Sequence, residues 1–426
     1  MKNDFDSYTL YAYTPFIRYT VRIRVELDHC IDGTVLEEAA NKAFVRFPYF
    51  SRKVTRDSEG GYVLVPNDQP ISVKPEGDKA PVLGGAESNR HLVSINYDGP
   101  VIYFNFSHSI CGACGAMFWI KATLWQYLTD KTGDQISSEG IKLPGTPIED
   151  GEIKSPVTEE LIKDDPIGVY NRGSGYVPVG EYAGFFANPF AKDQVFFPIA
   201  IDQSCLIKYA RSNDGSPNSI LSAAMFKAVG RVWQKRSGCK QITSGIVDNY
   251  RAHVGCPDTY RDIIRLLHAC YKPSMLDWPI DKLSTVTRAS MYIQMEPDVS
   301  CAEYRNVLAY RDGIDKKKSN LTKRLYALNN NPLTHGTVDS YVISYVGRID
   351  WAGLAKYIKS VQTISDGHMI IEVNAANDKV FVSFQQVNPK RSYLDSFLAV
   401  LDEEHITYSV GAMQYKRLPG LILNGR

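Results

Sequence analysis

The sequence has almost no excess charge of either sign. Its 426 residues include 48 lysines and arginines against 47 aspartates and glutamates, a formal net charge of +1. A protein that binds nucleic acid through its overall field carries a clear basic excess. The composition therefore predicts no nucleic acid partner.

Long hydrophobic runs are also missing. No stretch approaches the roughly 18 apolar residues of a membrane span. The opening MKNDFDS carries acidic residues where a secretory signal has an apolar segment of about 7–15 residues. We therefore expect no membrane span and a cytoplasmic location.

Cysteine is sparse, with eight residues scattered along the chain, which excludes a disulfide scaffold. Cys111 and Cys114 have C-x-x-C spacing and lie near His108, so the three could ligate a metal. A structural zinc site usually takes its remaining ligands from a second pair, and no other C-x-x-C or H-x₃₋₅-H occurs. We interpret the pair as small residues in a tight turn and predict no metal site. A reactive thiol at Cys114 is the alternative.

The composition is typical of a globular protein, with 44% hydrophobic and 22% charged residues. The length of 426 residues suits two or three domains. Residues 18–28 alternate between apolar and polar side chains, which predicts a strand with one buried face. Thr34 and Glu37 form a capping-box pattern that predicts a helix over 35–46, ended by Pro48.

The same reading predicts further elements in both halves. Strands are expected at 51–55, 62–65, 70–74, 92–97, 101–106, 194–201, 241–248, 290–296, 338–348, 369–374 and 379–386. Helices are expected at 112–128, 203–212, from Pro217 with Ser216 as its cap, and at 300–312, 351–360 and 390–402, the last two capped by Asp350 and Asn388.

Between 130 and 192 the periodicity fades into glycine-, proline- and charge-rich sequence, which indicates a long crossover. The fold class predicted is α+β, with two lobes of mostly antiparallel or mixed sheet covered by helices. The expected division is residues 1–180 for the N-terminal lobe with the crossover and 181–426 for the C-terminal lobe.

The stretch VIYFNFSHSICGACGA (101–116) carries the chemistry: a strand, a histidine, small residues and then a helix. A histidine titrates near neutrality and suits a general base. Small residues at the helix start leave its free N–H groups open to a developing oxyanion. His108 is therefore the candidate base, and the backbone of Gly112 and Ala113 supplies candidate oxyanion donors.

His108 and the small residues after it resemble the H-x-x-x-D-G motif of the chloramphenicol acetyltransferase-like superfamily, which includes nonribosomal peptide condensation domains and bacterial alcohol acetyltransferases. The resemblance covers most of the chain and is closest to the last group. The other similar segments are VRFPYFSRKV (45–54), GSPNSILSAAMFKAV (215–229), IVDNYRAHVGCPDTYRD (246–262) and SYVISYVGRIDW (340–351).

The resemblance implies an acyltransferase that moves an acetyl or short acyl group from a coenzyme A thioester to an alcohol or amine. Donor and acceptor would meet in a tunnel between the lobes, beside His108 as base. No cofactor would be held, coenzyme A thioester being a co-substrate, and an acyl carrier protein is an alternative donor. A monomer or loose dimer is expected.

Further site residues follow from the same resemblance. Ser344 is a second, weaker oxyanion donor than the helix start. The expected substrate-binding residues are Ser107, Cys111, Tyr250, Arg251 and Tyr345.

The motif departs from the family pattern at three positions. Ser107 stands where a second histidine is common, Gly112 where the family has aspartate, and Ala113 where it has glycine. In the family that aspartate braces the histidine loop by pairing with an arginine. Arg251, the conceivable partner, would need another acceptor. A catalytically inactive binding or scaffold protein is therefore the alternative function.

One basic cluster interrupts the even charge distribution. It comprises Lys316, Lys317, Lys318, Lys323 and Arg324. A solvated loop is the simpler interpretation. A docking surface for the phosphates of coenzyme A or for an acidic carrier protein is the alternative.

Overall fold

The computed structural model describes residues 5–14, 17–155, 173–178, 194–234, 238–331 and 337–423. The predicted boundary between 180 and 181 lies outside these residues. So does much of the predicted crossover.

The described residues form ten α-helices, numbered here in chain order. They are α1 (Phe5–Ala12), α2 (Gly33–Phe44), α3 (Ala113–Thr132), α4 (Asp150–Ile153), α5 (Gln203–Ser212), α6 (Pro217–Trp233), α7 (Ile280–Met295), α8 (Pro297–Asp315), α9 (Asn320–Asn329) and α10 (Ser392–Glu403). Short 3₁₀ helices cover Ala86–Ser88, Pro273–Met275 and Ala352–Tyr357.

Seventeen strands are present in the same ranges. They are β1 (Thr20–Leu27), β2 (Arg52–Arg56), β3 (Tyr62–Pro66), β4 (Val73–Pro75), β5 (Val82–Leu83), β6 (Val93–Asp98), β7 (Val101–Ser107), β8 (Val195–Asp202), β9 (Ile242–Asn249), β10 (Ile264–Tyr271), β11 (Tyr341–Arg348), β12 (Ile358–Ile364), β13 (Met369–Ala376), β14 (Lys379–Gln386), β15 (Tyr408–Val410), β16 (Gln414–Tyr415) and β17 (Gly420–Leu421).

The first sheet has the strand order β12-β1-β7-β6-β4. Its centre is the antiparallel pair β1 and β7, in which Ile23 lies opposite Phe104. Both side chains are fully buried, because alternation along each strand sends every second residue to the side covered by α2 and α3. This sheet carries His108 just beyond the end of β7.

The second sheet has the order β10-β9-β11-β13-β14-β8-β15, with β16 also paired to β8. Its interior strand β11 is parallel to both neighbours, β9 and β13. Helices α6 and α10 pack on it to form the second core. The sheet is therefore mixed, as the sequence predicted for a two-sheet α+β protein.

The chain passes directly between the two sheets after β12. Strand β12 pairs with β1 in the first sheet, with Val361 opposite Val25. After residues 365–368 the chain enters β13 of the second sheet. The first sheet thus contains a strand from the second half of the sequence, and a short link joins this edge strand to the interior strand β13 of the second sheet.

Four sequence predictions about local structure are wrong. Helix α2 is capped by Asp32, whose Oδ1 accepts hydrogen bonds from the N–H groups of Thr34 and Val35 at 3.2 and 3.3 Å. The predicted strand at 290–296 is the end of α7. The helix predicted over 351–360 is the 3₁₀ helix Ala352–Tyr357 followed by β12.

The helical end of α7 has a tertiary cause. Gln294 is buried, and its side chain accepts a hydrogen bond from the N–H of His268 and donates one to its carbonyl. These bonds satisfy the backbone of β10, which is the edge strand of the second sheet. Local strand propensity at Tyr292 and Ile293 is overridden, and both side chains are exposed.

Asn388 is not the cap of the last helix. The residue before α10 is Arg391, and Asn388 Oδ1 instead accepts a hydrogen bond from the N–H of Lys390 in the preceding turn, at 3.0 Å. Asp350 Oδ1 does accept from the N–H of Ala352, at 2.9 Å, where the 3₁₀ helix begins. Across the described residues, no helix combines the length and apolarity that crossing a membrane requires.

Candidate active site

A cavity of about 270 Å³ lies between the two sheets. Thr20 and Val21 of β1 and Thr363 of β12 line it from the first sheet. From the second sheet come residues of β9, β11 and β13. His108 lies on its wall. Because enzymes commonly bind substrates in a cavity with a few polar groups, this cavity is the candidate active site.

One row of residues across the second sheet forms part of this wall. Ser344 of β11 lies opposite Val247 of β9 and opposite Glu372 of β13. All three line the cavity. Because neighbouring strands lie about 4.8 Å apart, the row spans roughly 10 Å. It brings a hydroxyl and a buried carboxyl group to the same cavity as His108.

Contacts made by both its backbone and its ring hold His108 in place. Its N–H donates to the carbonyl of Tyr19 at 2.7 Å, which ties it to the start of β1. The ring lies edge-on to Phe106, with 6.3 Å between centroids. Its Nδ1 lies 3.0 Å from Oδ2 of Asp262. The imidazole therefore has a carboxylate on one nitrogen and the other nitrogen available.

The charges around His108 keep it more basic than an ordinary histidine. Burial lowers the pKa of the ring, but Asp262 and, to a smaller extent, Glu372 and Asp366 together outweigh this effect, so the pKa is raised. The side chain is a quarter exposed. A base of this kind accepts a proton strongly once it is in its neutral form.

Gly112 and Ala113 lie where helix α3 begins. Gly112 is the residue before the first turn and supplies no capping side chain. Both residues line the cavity. The first N–H groups of a helix have no partner within the helix, and its positive dipole end favours anions. The two predicted oxyanion donors are thus on the same cavity as His108.

Arg251 also lines the cavity, but its guanidinium is bound to other groups. Nε donates to the carbonyl of Thr259 and Nη2 to the carbonyl of Arg261, each at 2.8 Å. Nη1 donates to Oδ1 of Asn249 at 3.3 Å. Arg251 therefore braces the loop at 259–261.

The other predicted substrate-binding residues are only partly brought to the cavity. Tyr345 lies on the wall, while its ring packs against the second core. Tyr250 lies outside the wall, stacked on His253 with centroids 4.5 Å apart. Ser107 is buried, and its hydroxyl is hydrogen-bonded to that of Ser109. Cys111 is buried in the first core. Among the residues that the structure describes, neither Ser107 nor Cys111 contributes to the cavity wall.

Two acids, the half-buried Asp366 and the buried Glu372, form the part of the cavity beside the link between the sheets. Oδ2 of Asp366 accepts the N–H groups of Arg18 and Tyr19 at 2.6 and 2.9 Å. Oε1 of Glu372 accepts the hydroxyl of Ser365 at 2.5 Å. Burial raises the pKa of both carboxyl groups.

Lys416 stands close to both acids. It is buried, its Nζ donates to the carbonyl of Gly367 at 3.3 Å, and burial lowers its pKa to about 8. The two acids oppose part of that shift. Arg18 is a second cation near Lys416 and lowers its pKa further.

The cysteine pair forms neither a disulfide nor a metal cluster. Both residues are free thiols. Across the described ranges, no group of three or more histidine, cysteine, aspartate or glutamate side chains is placed to hold a metal ion. Burial raises the pKa of the Cys114 thiol. Cys111 is buried in the first core, and Cys114 lies in the first turn of α3.

The basic cluster is partly used within the fold. Lys323 is buried over the ring of Tyr11, and Arg324 donates to the carbonyl of Tyr13 at 2.8 Å. Lys317 lies over the ring of Tyr326. None of these residues lines the cavity.

The sequence reading missed Asp262, Asp366 and Glu372. Asp262 lies in a loop without periodicity, so no local pattern indicated it. Glu372 carried a usable signal, since it is the one charged residue of the otherwise uncharged strand MIIEVNAA, and an acid in a buried strand is rare unless it has a role.

No family model and no curated protein matches this sequence. Solved structures do match. TRI101 of F. sporotrichioides, complexed with coenzyme A and T-2, is 12% identical, covers 96% of this chain and 99% of its own, and has a TM-score of 0.59. Polyketide synthase associated protein 5 from Mycobacterium tuberculosis is 12% identical, with 90% and 93% coverage and a TM-score of 0.55.

The nonribosomal peptide synthetase FmoA3 matches with part of its length. It is 10% identical, with 95% of this chain and 43% of that chain covered and a TM-score of 0.55. These neighbours have the chloramphenicol acetyltransferase-like and condensation-domain fold. The predicted α+β architecture is confirmed, and the resemblance stated from the sequence is confirmed for the fold.

Proposed function

We propose that this protein is an acyltransferase that moves an acyl group from a coenzyme A thioester to an alcohol or an amine. The observation that carries the proposal is the position of His108. Its imidazole lies on a cavity between the two sheets and has a carboxylate 3.0 Å from Nδ1. Nε2 is then the nitrogen that can take a proton.

The fold neighbours support the choice of donor. TRI101 was solved in complex with coenzyme A and T-2, so a protein with this fold is able to hold coenzyme A. The other two neighbours, from polyketide and nonribosomal peptide systems, keep a carrier-bound donor as the alternative. We propose that the lobes are residues 1–180 and 181–426, and that the protein acts in the cytoplasm.

The proposed reaction needs no covalent intermediate with the protein. The acceptor oxygen or nitrogen attacks the thioester carbonyl carbon while Nε2 of His108 takes its proton. The new C–O or C–N bond forms, and the carbonyl oxygen becomes an oxyanion. Collapse breaks the C–S bond, and the leaving thiolate receives the proton from the imidazolium. The products are an ester or amide and free coenzyme A.

The oxyanion would be stabilised at the start of α3. The N–H groups at Gly112 and Ala113 are the first proposed donors, and the hydroxyl of Ser344 on the opposite wall is the weaker one. The Ser344 hydroxyl also hydrogen-bonds to Glu372 and helps to lower the pKa of that acid. It would therefore be shared between Glu372 and the oxyanion. Loss of one such donor typically costs about 10²–10³ in rate.

The test is release of free thiol from acetyl-coenzyme A in the presence of mixed alcohols and amines. We expect His108→Ala to lose roughly 10²–10⁴ of the rate, the usual contribution of a general base. His29→Ala is the matched control, because His29 also belongs to the first half but lies outside the cavity wall. Equal thiol release by the wild type and His108→Ala would count against the proposal.

A further inference from the structure

The loop at 259–262 is held against the start of helix α3 from several sides. Arg251 binds the carbonyls of Thr259 and Arg261. The N–H of Tyr260 donates to the carbonyl of Glu152 at 2.9 Å. Nε of Arg261 donates to the carbonyl of Ile153 at 2.7 Å. The position of the next residue, Asp262, is therefore strongly determined.

Two glycines of α3 make room for this loop. A Cβ added at Gly115 would lie 2.0 Å from the carbonyl oxygen of Tyr260. A Cβ added at Gly112 would lie 2.4 Å from Oδ1 of Asp262. Neither distance is possible for real atoms. The loop backbone can take its observed place only because Gly115 has no side chain, and the Asp262 carboxyl group can take its own only because Gly112 has none.

The space of a side chain at position 112 is therefore occupied by the Asp262 carboxyl group. Position 112 is where the resembling motif carries an aspartate, and this chain has glycine there. An aspartate at 112 and the observed Asp262 would exclude each other by contact and by like charge. The site holds one carboxylate beside the histidine loop, and it comes from the second half of the chain.

The Asp262 carboxylate contacts the imidazole itself. Oδ2 lies 3.0 Å from Nδ1 of His108, and the Asp262 side chain is only 17% exposed. A carboxylate at this distance accepts the Nδ1 proton of the neutral ring. That choice of tautomer leaves Nε2 without a proton, as a general base requires. It also stabilises the imidazolium that forms during transfer.

We propose that Asp262 is a positioning residue that fixes the tautomer and orientation of His108 and takes the place of the carboxylate missing at Gly112. This inference rests on the proposed acyl transfer for its catalytic meaning. The contact itself does not depend on it. In the proposed reaction, the proton that Nε2 takes from the acceptor leaves on the thiol.

The main test is Asp262→Asn, which keeps the shape and removes the charge. The new amide can donate to Nδ1 and so favours the tautomer with the proton on Nε2. We expect kcat/KM for thiol release to fall by about 10²–10⁴. The midpoint of the rising limb of its pH profile should fall by about 1–2 pH units, the effect of losing a close opposite charge.

Glu372 and Asp366 also raise the pKa of His108, and Lys416 faces both of them. These groups are unchanged in the variant, so the shift reports Asp262. The matched control is Asp258→Asn, which removes the same charge from the same loop at a side chain that is 61% exposed and bound to Lys142. Its rate and pH profile should equal those of the wild type.

A second readout needs no activity. In ¹⁵N-histidine-labelled protein the His108 signals are identified by their loss in His108→Ala. We expect the Nδ1–H tautomer in the wild type, and in Asp262→Asn the other tautomer with a lower titration midpoint. If His108→Ala retained thiol release while this coupling was present, the proposed function would fail and the contact would stand.

Rescue separates positioning from general support of the fold. In Asp262→Ala, formate can occupy the vacated space and should restore at least about tenfold of the lost rate, whereas chloride at equal ionic strength should not. If Asp262→Asn does not fold, formate rescue of Asp262→Ala still tests the positioning role of Asp262. An Asp262→Asn protein with the wild-type rate, pH midpoint and tautomer, or an Asp262→Ala protein that formate does not rescue, would overturn the inference.

Discussion

Glu372 lies directly opposite Ser344 on the neighbouring parallel strands β13 and β11, and both residues face the cavity. The carboxyl group is 4% exposed and accepts the hydroxyl of Ser365. Burial raises its pKa more than the two serines and His108 lower it. A carboxyl group of this kind resists ionisation in the folded protein.

We predict that Glu372→Gln makes the protein more stable at pH 8. The pKa of Glu372 is raised above its ordinary 4.5 in the folded state, so between these values the folded protein holds more protons than the unfolded chain. Stability from this group therefore falls as pH rises. The amide keeps an acceptor for Ser365 and carries no charge, and we expect a gain of about 1–2 °C in Tm.

The measurement is a calorimetric Tm for wild type and variant at pH 5 and pH 8. The gain should be larger at pH 8. The control is Asp378→Asn, which removes a charge from an exposed residue and should give the same small change at both pH values. A variant that was destabilised more at pH 8 than at pH 5 would show that Glu372 is a favourable anion in the fold.

Gly115→Ala should destabilise the protein, although alanine is the better helix former. The substitution gains about 1 kcal/mol of helix propensity. However, the new Cβ would lie 2.0 Å from the carbonyl oxygen of Tyr260, which is backbone and cannot rotate away. Overpacking costs about 1–3 kcal/mol, so a net loss is expected, and the midpoint of guanidinium unfolding should fall.

Gly151→Ala is the matched control for that substitution. Gly151 also lies in a helix, and an added Cβ there meets no atom within 4 Å. It should be neutral or slightly stabilising. If Gly115→Ala proved as stable as Gly151→Ala, the close packing of the loop against α3 would be incorrect.

Alkylation should distinguish Cys114 from an exposed thiol. The thiolate is the reactive species, and burial raises the pKa of Cys114. Cys30 is exposed. With iodoacetamide at neutral pH, peptide mass spectrometry should show Cys30 modified faster than Cys114, because burial hinders access to Cys114 and its raised pKa lowers the fraction of thiolate. Preferential modification of Cys114 would restore the reactive-thiol interpretation.

The elements that the sequence predicts well are those set by local pattern. Strand β1 follows from the alternation at 18–28, and α3 from apolar residues at helical spacing. His108 was found because it follows a strand and precedes small residues. In each case the buried face is encoded within a dozen neighbouring residues.

The features that the sequence did not predict depend on contacts between residues far apart in the chain. Strand β12 exists because Val361 pairs with Val25 of β1, and consecutive strands more often pair with each other. Asp262 lies 154 residues from His108 and reaches it through an irregular loop. Its role also depends on the absence of a side chain at Gly112. Only the folded structure shows that Gly112 and Asp262 lie next to each other.

The loop that carries Asp262 is anchored by a buried ion-pair network around Glu152. The Glu152 carboxylate accepts two hydrogen bonds from Arg46, each at 3.0 Å, and one from the hydroxyl of Tyr260. Lys142 lies 2.9 Å away. Burial opposes ionisation of Glu152, but these donors lower its pKa to about 2.

We predict that Glu152→Gln is strongly destabilising at pH 7, by roughly 3–5 kcal/mol, because it leaves the buried Arg46 without its counter-charge. The sign of the pH dependence follows from the depressed pKa. Between about 2 and 4.5 the unfolded chain binds the extra proton, so the stability that Glu152 contributes is complete above 4.5 and is lost as pH falls.

Urea unfolding at pH 7 and at pH 3 measures this difference. The gap between wild type and Glu152→Gln should narrow at pH 3, where the wild-type carboxylate has lost part of its advantage. The control, Glu149→Gln, removes an exposed acid from the same short segment and should change little at either pH. A gap of the same size at both pH values would mean that Glu152 acts through its shape and hydrogen bonds. Its charge would then contribute nothing to holding the Asp262 loop in place.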